Sequence, residues 1–198
     1  MHPDDAFAWT DRDGMLAFLA RQSFSTLFAM MGDRAVIAHA PVILCGDTLR
    51  FHLSRRNELA NLDDGAPVAL SCVGPEAYIS PDWYGSDNQV PTWNYLAVEC
   101  KGRVRRLGPA DLPDMLDALG AVHEARLHPK PPWTRAKMDS GRFEALLRGI
   151  VGFEMDIESL RGTRKIGQNK TNAERARVAT ALDSVQNSDM ATLMRRDM

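Results

Sequence analysis

Arg34-Ala-Val-Ile-Ala-His-Ala-Pro-Val-Ile-Leu-Cys-Gly-Asp-Thr-Leu-Arg-Phe-His-Leu-Ser54 decides how the rest of the chain is read. In its second half Leu49, Phe51 and Leu53 alternate with Arg50, His52 and Ser54, the period of a strand with one face in a core and one in water. Arg34 to Leu44 carries Val36, Ile37, Val42 and Ile43 and predicts a second strand. Cys45-Gly46-Asp47 is a short turn, so the two strands run antiparallel. His39-Ala40-Pro41 interrupts the first strand with a residue lacking an N–H, which predicts an edge or a bulge. His39, flanked by apolar residues, reads as a satisfied buried histidine.

Working outward, Ser23–Met31 and Ala66–Val73 predict further strands, and Gly32-Asp33 a turn. Tyr95–Leu107 predicts the longest strand, with Leu96, Val98, Cys100, Gly102 and Val104 on one face and Glu99, Lys101, Arg103 and Arg105 on the other. Val151–Ile157 and Thr163–Ile166 close the set. Helices are expected over Thr10–Arg21, briefly over Arg55–Leu62, over Asp111–Leu127, around Phe143–Ile150, and from a capping box at Thr171-Asn-Ala-Glu174 to Leu182. Gly74–Asn94, with three prolines and several aromatics, reads as a long functional loop. Regular strand–helix alternation, a G-x-G-x-x-G turn and a Walker loop are all missing, which argues against a nucleotide-binding parallel sheet. The reading is an α+β domain over residues 1–183 built on a small antiparallel barrel, followed by a loosely held polar segment, 184–198.

Composition narrows the function classes. The chain has 198 residues, 44% hydrophobic and 25% charged, which excludes a disordered or fibrous protein. Its net charge of −2 argues against a dedicated nucleic-acid binder, so direct sequence-specific DNA binding is expected to be weak or absent. No apolar run is long enough for a membrane helix, and Met1-His2-Pro3-Asp4-Asp5 does not open a signal peptide, so a cytoplasmic location is expected. Cys45, Cys72 and Cys100 have neither the number nor the spacing of a disulfide framework or zinc site, and no metal is expected.

Three basic clusters and one aromatic group are the candidates for chemistry. Arg50, His52, Ser54, Arg55, Arg56 and Asn57 run from a polar strand face into a turn that opens a helix; this suits a phosphate, or is a solvated strand end. Lys101, Arg103, Arg105 and Arg106 line a groove or dimer surface, or pair with carboxylates on an exposed sheet face. Arg161, Arg164, Lys165, Gln168, Asn169 and Lys170 mix cations with amides, fitting an anionic or heterocyclic ligand or a plain polar connection. Trp83, Tyr84, Trp93 and Tyr95 either stack on a flat ring or form core and interface. No side chain stands out as a catalytic acid, base or nucleophile, since HExxH and G-x-S-x-G are missing.

Gly74-Pro-Glu-Ala-Tyr-Ile-Ser-Pro-Asp-Trp-Tyr84, Val90-Pro-Thr-Trp-Asn-Tyr95, Ile150-Val-Gly-Phe-Glu154 and Lys165-Ile-Gly-Gln-Asn-Lys170 together resemble the PaiB-type family of FMN-binding negative transcriptional regulators. The resemblance covers most of residues 10–183. It implies an FMN-binding split β-barrel, that is, an antiparallel Greek-key barrel with peripheral helices, in a homodimer with flavin at the subunit boundary. Ser54-Arg55-Arg56 resembles the phosphate segment of pyridoxamine-phosphate oxidases, which share that barrel, while their closing substrate segment has no counterpart here. The resemblance thus implies FMN as cofactor, its phosphate near His52, Ser54, Arg55, Arg56 and Asn57 and its ring along His39, Ala40 and Pro41. Trp93, Lys165, Gln168 and Asn169 are further candidate contacts. The function expected is that of an FMN-binding regulator or flavin-dependent redox protein. The alternatives are a flavin-free interaction protein or a DNA-binding regulator on the same barrel.

Overall fold

The computed structural model describes residues 2–196. Strands β2 (Phe24–Met31) and β3 (Arg34–Cys45) form a hairpin in register from Phe24 opposite Pro41 to Met31 opposite Arg34. Gly32 turns it with φ of 65°, a left-handed conformation that disfavours residues with a Cβ. β4 (Thr48–Ser54) pairs with β3 from Val42 opposite Phe51 to Cys45 opposite Thr48. The proline therefore marks neither an edge nor a bulge. β3 runs through Pro41 and changes partner there, from β2 to β4, where one missing N–H is tolerated.

The strand order is β1-β8-β6-β5-β2-β3-β4-β7, and an added β6–β7 pairing closes six of the strands into a ring, the expected barrel. Here β5 is Pro67–Ile79, β6 Thr92–Arg106 and β7 Ile150–Asp156. β1 (Ala8–Trp9) and β8 (Ser159–Lys165) extend the sheet. The residues between Gly74 and Ile79, expected in a loop, continue β5, with Ala77 and Ile79 buried and Tyr78 exposed in strand alternation.

The chain clusters into two compact units. The barrel unit comprises Leu16–Cys72 and Cys100–Leu160. Its core is Leu27, Ala38, Ala40, Val42, Leu49, Phe51, Leu53, Leu70, Val104, Phe153 and Met155, with the Phe51 and Phe153 rings stacked at 5.5 Å. β7 lies close to β6 because Gly102 faces it: a Cβ there would stand 2.1 Å from the Asp156 carbonyl oxygen. Helix α2 (Asp111–Ala125) packs on β3 through a buried stripe of Leu112, Met115 and Leu119, and α3 (Ser140–Leu147) packs on β7. Arg55–Leu62 forms only a short 3-10 turn, Glu58–Asn61. Helix α1 (Arg12–Gln22) contributes buried Phe18 and Leu19.

The second unit takes the chain up to Met15, Val73–Glu99 and Arg161 onward. Its helix α4 (Asn172–Ser184) begins with the capping box read from the sequence: Thr171 accepts from Glu174 N–H while Glu174 accepts from Thr171 N–H. Residues 188–196, expected to be loosely held, form helix α5 (Ser188–Arg196) with Met190, Ala191 and Met194 buried against α4. Arg175 of α4 donates to the Met194 carbonyl at 2.6 Å. Asp197 and Met198, the end of that segment, lie outside the described residues. Among the described residues no helix is long and apolar enough to cross a membrane.

Candidate flavin site

The outward faces of β3 and β4 meet in one register. Ile43 and Arg50 are partners, Pro41 and His39 continue that face on β3, and His52 and Ser54 continue it on β4. His39 is exposed rather than buried, because the alternation puts Ala38 and Ala40 inside the barrel and His39 outside. Its Nδ1 lies 3.2 Å from Thr26 Oγ1 and its ring stacks on Phe24 at 6.3 Å. Ala40 points into the core, so of the three residues expected beside a flavin ring only His39 and Pro41 present side chains outward.

His52 is the most distinctive residue of this face. Its Nδ1 is buried with no hydrogen-bond partner, and burial lowers its pKa, which keeps the imidazole neutral at neutral pH. A neutral imidazole has one donor and one acceptor nitrogen, so a ligand group of either kind can satisfy it. Beside it Arg50 donates to Glu154 at 3.0 Å, and Arg105 bonds the same carboxylate from the other side. Glu154 is 6% exposed, so this buried carboxylate has its partners in the two guanidiniums. The sequence reading missed this triad; the alternation of β7 around buried Phe153 is the one local signal that places Glu154 on the outer side.

At the turn after β4 the arginines play different roles. Arg55 is tied to the chain before β7, its N–H to the Gly149 carbonyl at 2.9 Å and its Nε to the Arg148 carbonyl at 2.7 Å. Arg56 donates its N–H to Ser54 Oγ at 3.3 Å and leaves its guanidinium in solvent. Asn57 caps the short turn, accepting from Leu59 N–H at 2.9 Å, and gives its own N–H to the Ser54 carbonyl. The backbone N–H groups of this turn are thus occupied internally. An anion here must be met by side chains, Arg56 first. The remaining cluster on β6 follows the paired-face reading: Arg103 meets Glu158 at 4.0 Å and Arg106 donates to the carbonyls of Ala60 and Leu62.

The other candidates belong to the second unit. Trp93 is exposed and meets Tyr78 edge-on at 6.2 Å. Lys165 donates to Thr92 Oγ1 at 2.7 Å, lies over the Phe7 ring, and has its pKa lowered by burial. Gln168 is committed to backbone, donating to the Ala6 and Arg164 carbonyls and accepting from Ile166 N–H, which makes it a structural clasp. Asn169 is exposed. Among the described residues no group of three or more His, Cys, Asp or Glu is placed to hold a metal.

In the same unit Glu174 anchors the segment between Tyr84 and Pro91. It accepts from Ser86 Oγ at 2.8 Å, Gln89 donates to Ser86 Oγ, and Lys170 donates to Gln89 Oε1 at 2.6 Å. The Thr171 N–H, then the Ser86 and Thr171 hydroxyls, hold the Glu174 carboxyl at about 2, below its ordinary 4.5. A depressed carboxyl contributes stability above its unfolded-state pKa and loses it as pH falls toward the folded value. The thermal midpoint of Glu174→Gln should therefore lie below that of the parent at neutral pH. The gap should narrow from about pH 4.5 and close near pH 2. A gap constant across that range would contradict the assignment.

Residues 1–159 match the family described as "Putative FMN-binding domain". The chain belongs to this family. It is 27% identical over 196 residues, 95% of its length, to "Protease synthase and sporulation protein PAI 2" of Bacillus subtilis, covering 93% of that protein. Among solved structures it resembles an FAD- and heme-binding protein of Mycobacterium smegmatis, with a TM-score of 0.62, 17% identity, and coverage of 84% of this chain and 78% of that one. It also resembles the flavocytochrome Anf3 of Azotobacter vinelandii, with a TM-score of 0.59, 15% identity, and coverage of 83% and 72%. At such identities these structures establish the fold alone, an antiparallel split barrel. As a member of an FMN-binding family, the chain has FMN as its cofactor. The residues present fit that group: an orphaned buried His52 Nδ1 and an uncommitted Arg56 guanidinium stand on neighbouring positions of one strand and its turn.

Proposed function

We propose that this protein is a homodimeric, cytoplasmic FMN-dependent redox protein that holds its flavin on the outward face of β3 and β4. The observation that carries this reading is the unsatisfied, buried Nδ1 of His52 between Arg50 and Ser54, two residues before the Arg55-Arg56 turn. Arg56, with Ser54 beside it, binds the phosphate; His52 supplies a neutral hydrogen bond to the same cofactor; His39 and Pro41 flank its ring. When bound, FMN supplies hydride and electron chemistry, and the protein contributes position and electrostatics. Arg50 and Arg105 hold Glu154 and so set the charge behind the site.

The same face supports the homodimer. Phe24, Phe28, Met30 and Ile37 stand exposed on β2 and β3 beside His39, an apolar patch of the kind that marks an interface. A second subunit there would cover the flavin ring from the side β3 leaves open.

A DNA-binding regulator is the competing reading, favoured only by the family resemblance. The charge is against it: the net charge is −2, and Arg50, Arg103, Arg105 and Arg106 are occupied by carboxylates or carbonyls. In a gel-shift titration at ~150 mM salt the FMN-loaded protein should show no preference for a promoter fragment over random DNA. Nanomolar binding to one fragment, well above random DNA, would replace the redox reading with the regulatory one.

A further inference from the structure

A polar row crosses the outward face of the barrel unit beside the proposed flavin ring. Thr26 of β2 and His39 of β3 stand directly opposite each other, and Ser71 of β5 is the partner of Thr26 on its other side. Around the row the face is apolar, with Phe24, Phe28, Met30 and Ile37 exposed. Two contacts fix the His39 ring: its Nδ1 lies 3.2 Å from Thr26 Oγ1, and Phe24 stacks on it at 6.3 Å. The residue is exposed, and its Nε2 has no partner among the described residues. Over Phe24–Met30 of β2 and Ile37–Pro41 of β3, His39 is the side chain that can hold and release a proton.

We infer, on the flavin placement proposed above, that His39 is a catalytic residue: its Nε2 gives the proton that accompanies hydride transfer from reduced FMN to a quinone. The apolar surroundings favour a flat, uncharged acceptor, and a quinone is one that needs both a hydride and a proton. Thr26 is the positioning residue. Its Oγ1 accepts from Nδ1–H, which keeps that nitrogen protonated and leaves Nε2 as the nitrogen that exchanges its proton. The anionic reduced flavin breaks its N5–H bond and passes hydrogen and electron pair to one quinone oxygen. The imidazolium breaks its Nε2–H bond and protonates the other oxygen. The flavin ends oxidised, the quinone ends as hydroquinone, and His39 ends as neutral imidazole to be reprotonated from water.

Anaerobic stopped-flow of the FMN-loaded protein, reduced with dithionite, reads this step with two oxidants. 2-Methyl-1,4-naphthoquinone requires the proton; ferricyanide takes single electrons and requires none. His39→Gln should bind FMN as the parent does, reduce ferricyanide at the parent rate, and reduce the naphthoquinone about a hundredfold more slowly. Thr26→Val should slow the naphthoquinone reaction alone, by about tenfold, and Thr26→Ser should restore it. In the parent, the imidazole nitrogen resonances of His39 should shift on addition of FMN. The inference is overturned if the parent's reduced flavin does not reduce the quinone, if His39→Gln keeps the parent rate or slows both oxidants alike, or if FMN leaves the His39 resonances unmoved. Each of those results leaves the flavin reading standing, whereas a parent that takes up no FMN overturns both.

Discussion

Arg56→Ala should lower the affinity for FMN by at least about tenfold, and Arg55→Ala with Arg56→Ala by up to about a hundredfold, with little change for riboflavin. Each charge-assisted hydrogen bond to a phosphate contributes about 1.5–3 kcal/mol, and about 1.4 kcal/mol is a factor of ten. The backbone N–H groups of Arg55, Arg56 and Asn57 already have internal acceptors, so no backbone cradle compensates for a lost guanidinium. The two arginines should also separate. Arg55 is anchored to the Arg148 carbonyl, so its loss adds a stability cost that Arg56→Ala does not share. Fluorescence titration of FMN and riboflavin into the parent and both variants reads these effects. Equal FMN affinities for the parent and the double variant would return the arginines to an ordinary solvated turn.

On the proposed homodimer, Phe24→Asp with Ile37→Asp should convert the protein from dimer to monomer and weaken FMN binding with it. The two residues are 63% and 61% exposed on adjacent strands. A second copy packed there brings four carboxylates into one apolar contact, each costing several kcal/mol to desolvate unpaired. The dimer dissociation constant should rise by about a thousandfold or more, visible by light scattering across a concentration series. Both substitutions put polar groups on positions already in water, so the barrel should keep its circular dichroism and thermal midpoint. A parent protein that is monomeric with flavin bound would contradict the shared site.

The hairpin around Gly46 and the pairing of β3 with β4 were legible because strict alternation survives in Thr48–Ser54. The capping box at Thr171 was legible because its two side chains act within one turn. What was not legible depended on distant partners. Nothing local tells that Arg106 turns onto the carbonyls of Ala60 and Leu62 while Arg56 stays in water. Helix α5 looks polar along the chain. It is held by Met190, Ala191 and Met194, whose burial exists only once α4 is in place. His39 misled through composition: its apolar neighbours suggested burial, whereas the alternation read one strand later in Leu49–Ser54 already puts such a residue outside. The amides after Ser54 are taken up for a related reason, since Asn57 is itself a good cap and closes the turn internally. FMN was reached through the resemblance of the Tyr84 and Trp93 segments to a family. The physical signal for a ligand, the orphaned His52 Nδ1, appears only in three dimensions.

The most direct test of the account is the absorbance and mass of whatever the purified native protein carries, followed by titration of the stripped protein with FMN. The account predicts the visible bands of oxidised flavin, release of FMN on denaturation, and stoichiometric rebinding to the parent with much weaker rebinding to Arg56→Ala. A colourless protein that takes up no FMN at concentrations of ~100 µM would contradict it.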